Sequence, residues 1–163
     1  MANGQQTHLG QDLHLGFVAD EEGRIVAGPF SHVDIQRTRR EGVRPKGVDL
    51  VTVNGIANLV QSLILRLKTE QGELAPLGHP TYGSRHHQLV GEPNTEHTRN
   101  LIKLYVLECL KQEPRIVVQK VTVKSAFGRE NRDKVDITIQ ATIKATSDPL
   151  NFVVPFFLDG VPA

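Results

Sequence analysis

The chain of 163 residues has no tryptophan, and only two tyrosines and six phenylalanines. Stacking platforms for single-stranded nucleic acid need aromatic rings, so their scarcity argues against that role and leaves the core to aliphatic side chains. The single cysteine, Cys109, excludes an internal disulfide and a cysteine-based zinc site, and fits a reducing cytoplasm. Charge of neither sign dominates: 19 Lys and Arg stand against 18 Asp and Glu, a formal +1, where a nucleic-acid-binding domain carries a strong basic bias. No run approaches the roughly 20 apolar residues that span a bilayer. The polar stretch Met1 to Asp12 has no apolar segment of the kind a secretory signal needs, and reads as a disordered leader. No P-loop, dinucleotide fingerprint or G-x-S-x-G elbow occurs, so no cofactor is expected.

Apolar residues make up 39% of the chain, enough for one core. Leu13, Leu15 and Phe17, the turn Asp20-Glu21-Glu22-Gly23 and then Ile25-Val26 predict a two-stranded hairpin. Residues 34–49 lack apolar periodicity, hold Arg37, Arg39, Arg40, Arg44 and Lys46, and read as a basic linker. A first long helix follows, with Ile56, Leu59, Val60, Leu63, Ile64 and Leu67 on one stripe and Asn54 placed to cap it. Gly- and Pro-rich residues 72–94 are irregular apart from a short helix over Arg85 to Val90, with Ser84 as its cap. A second long helix starts at Asn94 or Thr95, buries Leu101, Ile102, Leu104, Tyr105, Val106, Cys109 and Leu110, and stops before Pro114. The remainder is β. Ile116 to Val123 is rich in β-branched residues, Val135, Ile137, Ile139, Ala141 and Ile143 alternate with polar residues, and Phe152, Val154, Phe156 and Leu158 form a last strand. Pro155 lies inside that strand and predicts an edge position. The fold class is α+β, with an N-terminal hairpin and linker, two main helices plus a short one, and a C-terminal three-stranded antiparallel meander. Residues 1–49 form an arm and residues 50–163 the main domain.

Candidate chemistry is thin. His79, His86 and His87 invite a metal site, but adjacent histidines on a helix diverge by about 100° and cannot easily share an ion, so no metal is expected. Cys109 sits in an apolar helix face, where a thiol is unreactive. The arginines at 37, 39, 40 and 44 could meet phosphate or an acidic protein, though no aromatic residue is interleaved with them, and a solvated linker is the simpler reading. Glu113-Pro114-Arg115 ends a helix with two charges. The C-terminal sheet is an aggregation hazard unless its rim is covered, by the N-terminal hairpin or by a partner's strand.

The order of these landmarks resembles a known family. Asn54-Gly55-Ile56-Ala57-Asn58-Leu59-Val60, then Gly72-Glu73-Leu74, Pro80-Thr81-Tyr82-Gly83-Ser84, Glu92-Pro93-Asn94-Thr95 and Glu113-Pro114-Arg115-Ile116 are similar, over residues 50–158, to the W-like baseplate wedge proteins of contractile phage tails and related injection systems. The resemblance implies a structural subunit and no enzyme. It implies six copies around the tail tube, in a baseplate assembled in the bacterial host cytoplasm. The expected partners are other wedge proteins, sheath subunits and tube or hub proteins, with no membrane or nucleic acid. It assigns Glu113, Pro114 and Arg115 to the wedge core bundle. It also assigns the strands bearing Val135, Ile137, Ile139, Phe152, Val154 and Phe156 to initiation of the sheath by strand addition. A type VI secretion baseplate component of the same fold is an alternative, to be separated by neighbouring genes. A cell-wall hydrolase is a second, and it would need a paired-carboxylate cleft that the pattern does not offer.

Overall fold

A computed structural model describes residues 9–13, 15, 18–19, 25–26, 37–39, 48–50, 52–125 and 133–160. Arg40, Arg44, Phe17 and the turn of the first hairpin lie outside them. Of Arg37 and Arg39 only the backbone is described.

The apolar stripe expected at 56–67 forms α1 (Gly55–Lys68), with Leu59, Val60, Leu63, Ile64 and Leu67 buried. Asn54 has the extended backbone of a cap, but its side chain makes no capping bond. The second helix, α2 (Glu96–Lys111), is capped by Thr95, whose hydroxyl accepts the Thr98 N–H at 3.2 Å. It buries Ile102, Val106, Cys109 and Leu110, while Leu104, expected in the core, is exposed. The short helix is a 3-10 turn over His86–Leu89. Ser84 does not cap it; its hydroxyl bonds the His86 ring instead.

Nine strands are described: β1 (Gln11–Leu13), β2 (Val18–Ala19), β3 (Ile25–Val26), β4 (Arg37–Arg39), β5 (Val48–Leu50), β6 (Thr52–Asn54), β7 (Ile116–Ser125), β8 (Lys134–Ile143) and β9 (Pro149–Phe157). The last three make the expected antiparallel meander, in register from Ile116↔Ile143 to Ser125↔Val135 and from Lys134↔Phe157 to Thr142↔Pro149. Alternation sends Val135, Ile137, Ile139, Leu150, Phe152, Val154 and Phe156 inward to form one core with both helices.

The N-terminal part is more engaged than its composition implies. Leu9, inside the stretch read as a disordered leader, is a core residue, and β1 pairs antiparallel with β6. Two buried amides on α1 hold it. Asn58 Nδ2 donates to the Leu9 carbonyl at 2.9 Å, and Gln61 donates to Leu13 O while accepting from Leu15 N–H. Buried amides are stable only when so paired. Within the basic stretch read as a linker, β4 pairs with β5. The expected hairpin forms with another first strand: Leu13 pairs with β6, and β2 (Val18–Ala19) pairs with β3, which then joins the main sheet in parallel through Val26↔Val153, giving the order β2-β3-β9-β8-β7. β9 lies between β3 and β8, so the edge position expected for Pro155 is not found; it pairs with Asp136 of β8, two residues past the Val26↔Val153 contact.

Candidate functional site

Where α2 hands over to β7, the chain turns at Glu113-Pro114-Arg115. The Glu113 N–H still donates to Leu110 O, and the Arg115 carbonyl accepts from Lys144 N–H, so the corner is fastened to both helix and sheet. Pro114 has no N–H to offer and narrows the backbone between the two charges. Glu113 is only 6% exposed and turns inward. Its Oε1 accepts Arg115 Nε at 2.7 Å, its Oε2 accepts Arg115 Nη2 at 3.1 Å, and the Arg115 backbone N–H adds a longer bond to Oε1. This is the two-point fork of guanidinium on carboxylate. Arg115 Nη2 also donates to Ser62 Oγ at 2.9 Å, tying the corner to α1. Arg115 itself stays about one-third exposed.

A second guanidinium stands behind this pair. Arg66 Nη2 is 3.7 Å from Glu113 Oε2, and Arg66 lies over the Tyr82 ring at 4.4 Å. Tyr82 is brought there by a closed loop: Ser84 N–H donates to Thr69 O and Gly72 N–H to Tyr82 O. Gly83 makes the closure possible. Its φ is +100°, and a Cβ would sit 2.6 Å from the Glu70 carbonyl oxygen, so only glycine fits. Arg66, His79, Thr81, Tyr82 and Gln112 line an open cleft of about 270 Å³ beside the corner.

The charges follow from this packing. Burial alone would raise the Glu113 carboxyl, but the hydrogen bonds and charge of Arg115, with Arg66 behind, outweigh it and hold its pKa below 4.5. The bond to Glu113 raises Arg115, against burial. Burial raises the Tyr82 phenol, which Arg66 opposes. Burial pushes the Cys109 thiol up to about 11 despite Arg66 and a bond from Ser84, so the thiol is protonated and unreactive at neutral pH.

The histidines are packing groups. His86 is buried, with Nδ1 2.7 Å from Ser84 Oγ and its ring edge-on to Phe156; His87 Nε2 is 2.7 Å from the Leu67 carbonyl. The two rings, expected to diverge, lie 4.2 Å apart on a 3-10 turn, with their planes tilted by 34°. Among the described residues no three His, Cys, Asp or Glu gather as a metal site. Burial and then the His87 ring lower the His86 pKa from 6.5 to about 3. The unfolded chain therefore takes up this proton first as pH falls, so stability is full above 6.5 and is lost below it. Between pH 7.5 and 5 the loss from this group is expected to be about 2 kcal/mol. Urea titrations of wild type and His86→Asn should show it, the variant having the flatter pH profile.

The six inward residues of the last two strands, Val135, Ile137, Ile139, Phe152, Val154 and Phe156, are core side chains. β8 is paired on both sides, and β9 meets β3, so β7 is the rim without a neighbouring strand among the described residues. Sequence reasoning did not find Arg66, Tyr82 or Ser62 as members of the corner. The nearest signal was Pro80-Thr81-Tyr82-Gly83-Ser84, whose glycine marks a tight approach but not what approaches.

Two helices share one core with the antiparallel meander β7-β8-β9, and a Glu-Pro-Arg corner joins α2 to β7. The sequence profile described as baseplate wedge protein gp25 matches residues 54–148, more than half of the chain, and the chain belongs to that family. It is similar to a crystal structure from Geobacter sulfurreducens named as a tail lysozyme, with 28% identity and a TM-score of 0.53, covering 61% of this chain and 87% of that one. A comparison with curated proteins finds no match. No helix among the described residues is long and apolar enough to cross a membrane.

Proposed function

We propose that this protein is a non-catalytic wedge subunit that docks on neighbouring wedge proteins through the Glu113-Pro114-Arg115 corner and starts the sheath by accepting a strand on its sheet. The observation that carries the reading is the rim of β7, ten residues long and without a neighbouring strand among the described residues, on a meander whose other side the chain's own β3 meets. A donated strand there would form a ladder of directional main-chain bonds, which resists sliding between rings under load. β8 is satisfied on both sides, so its residues serve the sheath only by holding β7 in place.

At the corner, Glu113 acts as the internal anchor and Arg115 as the presented group. Among the described residues, no bond is seen from Arg115 Nη1, which leaves donors for an acidic residue of a partner helix. The copy number of six, the tube and hub as further partners, and assembly in the host cytoplasm belong to the same proposal. Arg37 and Arg39 lie in a strand pair distant in sequence from the corner and have no assigned role in it.

Arg115→Ala should remain folded by amide NMR at pH 7, though less stable because the buried Glu113 loses its partner, yet fail to join wedge complexes when co-expressed with the other baseplate proteins. Size-exclusion chromatography and electron microscopy would read this, and normal incorporation would refute the docking role. The name of the Geobacter structure favours a hydrolase as the second reading. Against it, Glu113 is locked to Arg115 with a lowered pKa, the reverse of a proton-donating acid; a clearing band in a cell-wall zymogram would establish it nonetheless.

A further inference from the structure

The corner holds two guanidinium groups and one carboxylate. Arg115 engages both Glu113 oxygens, at 2.7 and 3.1 Å. Arg66 is left 3.7 Å from the nearer one, beyond hydrogen-bond reach, although its side chain is only 15% exposed. Its face is covered by Tyr82, so only its edge is open. Among the described residues no hydrogen bond from its guanidinium is seen, and a cation so far withdrawn from water is costly to hold without one. The edge borders the cleft of about 270 Å³, which His79, Thr81 and Gln112 also line and to which no described acidic residue contributes. The size suits one side chain. Beside it Leu77, one residue from cleft-lining Gly78, is 73% exposed, an apolar contact next to a polar socket.

We propose that this cleft is a carboxylate socket, in which Arg66, backed by Tyr82, receives an aspartate or glutamate side chain from a neighbouring baseplate protein. The inference rests on the docking role of the corner and names what the partner must bring. A planar carboxylate matches the guanidinium edge in two bonds and supplies the missing negative charge. A phosphate backbone, which is held by several cations, fits less well: among the described residues Arg66 is the one Lys or Arg that lines the cleft.

The test uses the full-length chain and acetate as the probe, titrated by NMR at constant ionic strength against chloride. Saturable shifts are expected at the Arg66 Nε–H and at the Thr81 and Gln112 amides. They should be abolished in Arg66→Gln. His79→Glu should abolish them too, because it places a resident carboxylate at the cleft mouth; His79 is exposed, so this variant keeps the fold. Both variants should weaken association with co-expressed wedge proteins at least tenfold. Absent or non-saturating shifts, or shifts unchanged in Arg66→Gln, would overturn the socket. So would a DNA oligonucleotide that displaces acetate from the same groups, since it would make the ligand a nucleic acid. If Arg115→Ala blocks association while Arg66→Gln and His79→Glu do not, the socket is wrong and the docking role stands. If none of the three affects association, the docking role itself fails and the socket falls with it.

Discussion

Glu113→Ala should lower the unfolding free energy by about 3 kcal/mol, the scale on which removing one partner of a buried ion pair destabilises a protein. The value belongs at the lower end of that range because Arg115 is about one-third exposed and water can reach it. The variant leaves two guanidinium groups facing each other across the space Glu113 filled. It also loses the carboxylate that both accepts the Arg115 backbone N–H and, through Arg115, reaches Ser62 on α1. Urea denaturation at pH 7 measures the loss. Its pH dependence identifies the cause. A carboxyl held below its ordinary value of 4.5 contributes stability that is fully present above that value and lost as pH falls through the folded one. The gap between wild type and variant should therefore be constant well above pH 4.5 and narrow as pH falls below it. A gap that does not narrow with falling pH would assign the effect to lost packing and not to the ion pair.

That inward turn of Glu113 was not legible in the sequence. Charged residues default to the surface, and nothing local to a Glu-Pro-Arg tripeptide says that Arg66, 47 positions earlier, stands behind it. The elements that were legible are those whose evidence is periodic. The stripe from Ile56 to Leu67 and the alternation from Val135 to Ile143 each repeat one geometry many times, and both formed as expected. What was missed depends on long-range partners. Leu9 looked like part of a polar leader because its burial comes from α1, through Asn58 and Gln61. These two residues read as polar interruptions of a helix until β1 lies against them. β4 and β5 were missed because each is three residues long, too short to show a period, and Arg-Thr-Arg in β4 has no apolar residue. The resemblance to wedge proteins supplied the importance of the corner. Only the three-dimensional arrangement supplied its division of labour, with one charge buried as an anchor and another left partly exposed.

The β7 rim gives the other large effect. Successive residues of a strand point their N–H groups to opposite sides. Of Val123→Pro and Lys124→Pro, then, one removes a bond to β8 and weakens the monomer, while the other removes only an outward donor and puts a ring where an incoming strand must lie. The second kind should melt close to wild type, yet leave tail tubes without sheath in electron micrographs. The rim already carries devices that discourage random pairing. A register shift between Val118 and Lys120 interrupts it, and Lys120 and Lys124 are exposed along it. Such a rim admits a strand that tolerates the kink and brings complementary charge, as a starter of an ordered stack requires. The other side of the meander differs: β9 is met by β3 at Val26↔Val153, so a strand arriving directly at β9 must displace part of the chain's own hairpin, whose β2 forms the opposite rim. Sheathed tails formed normally by the well-folded proline variant would place strand addition at that opposite rim or remove it from the mechanism.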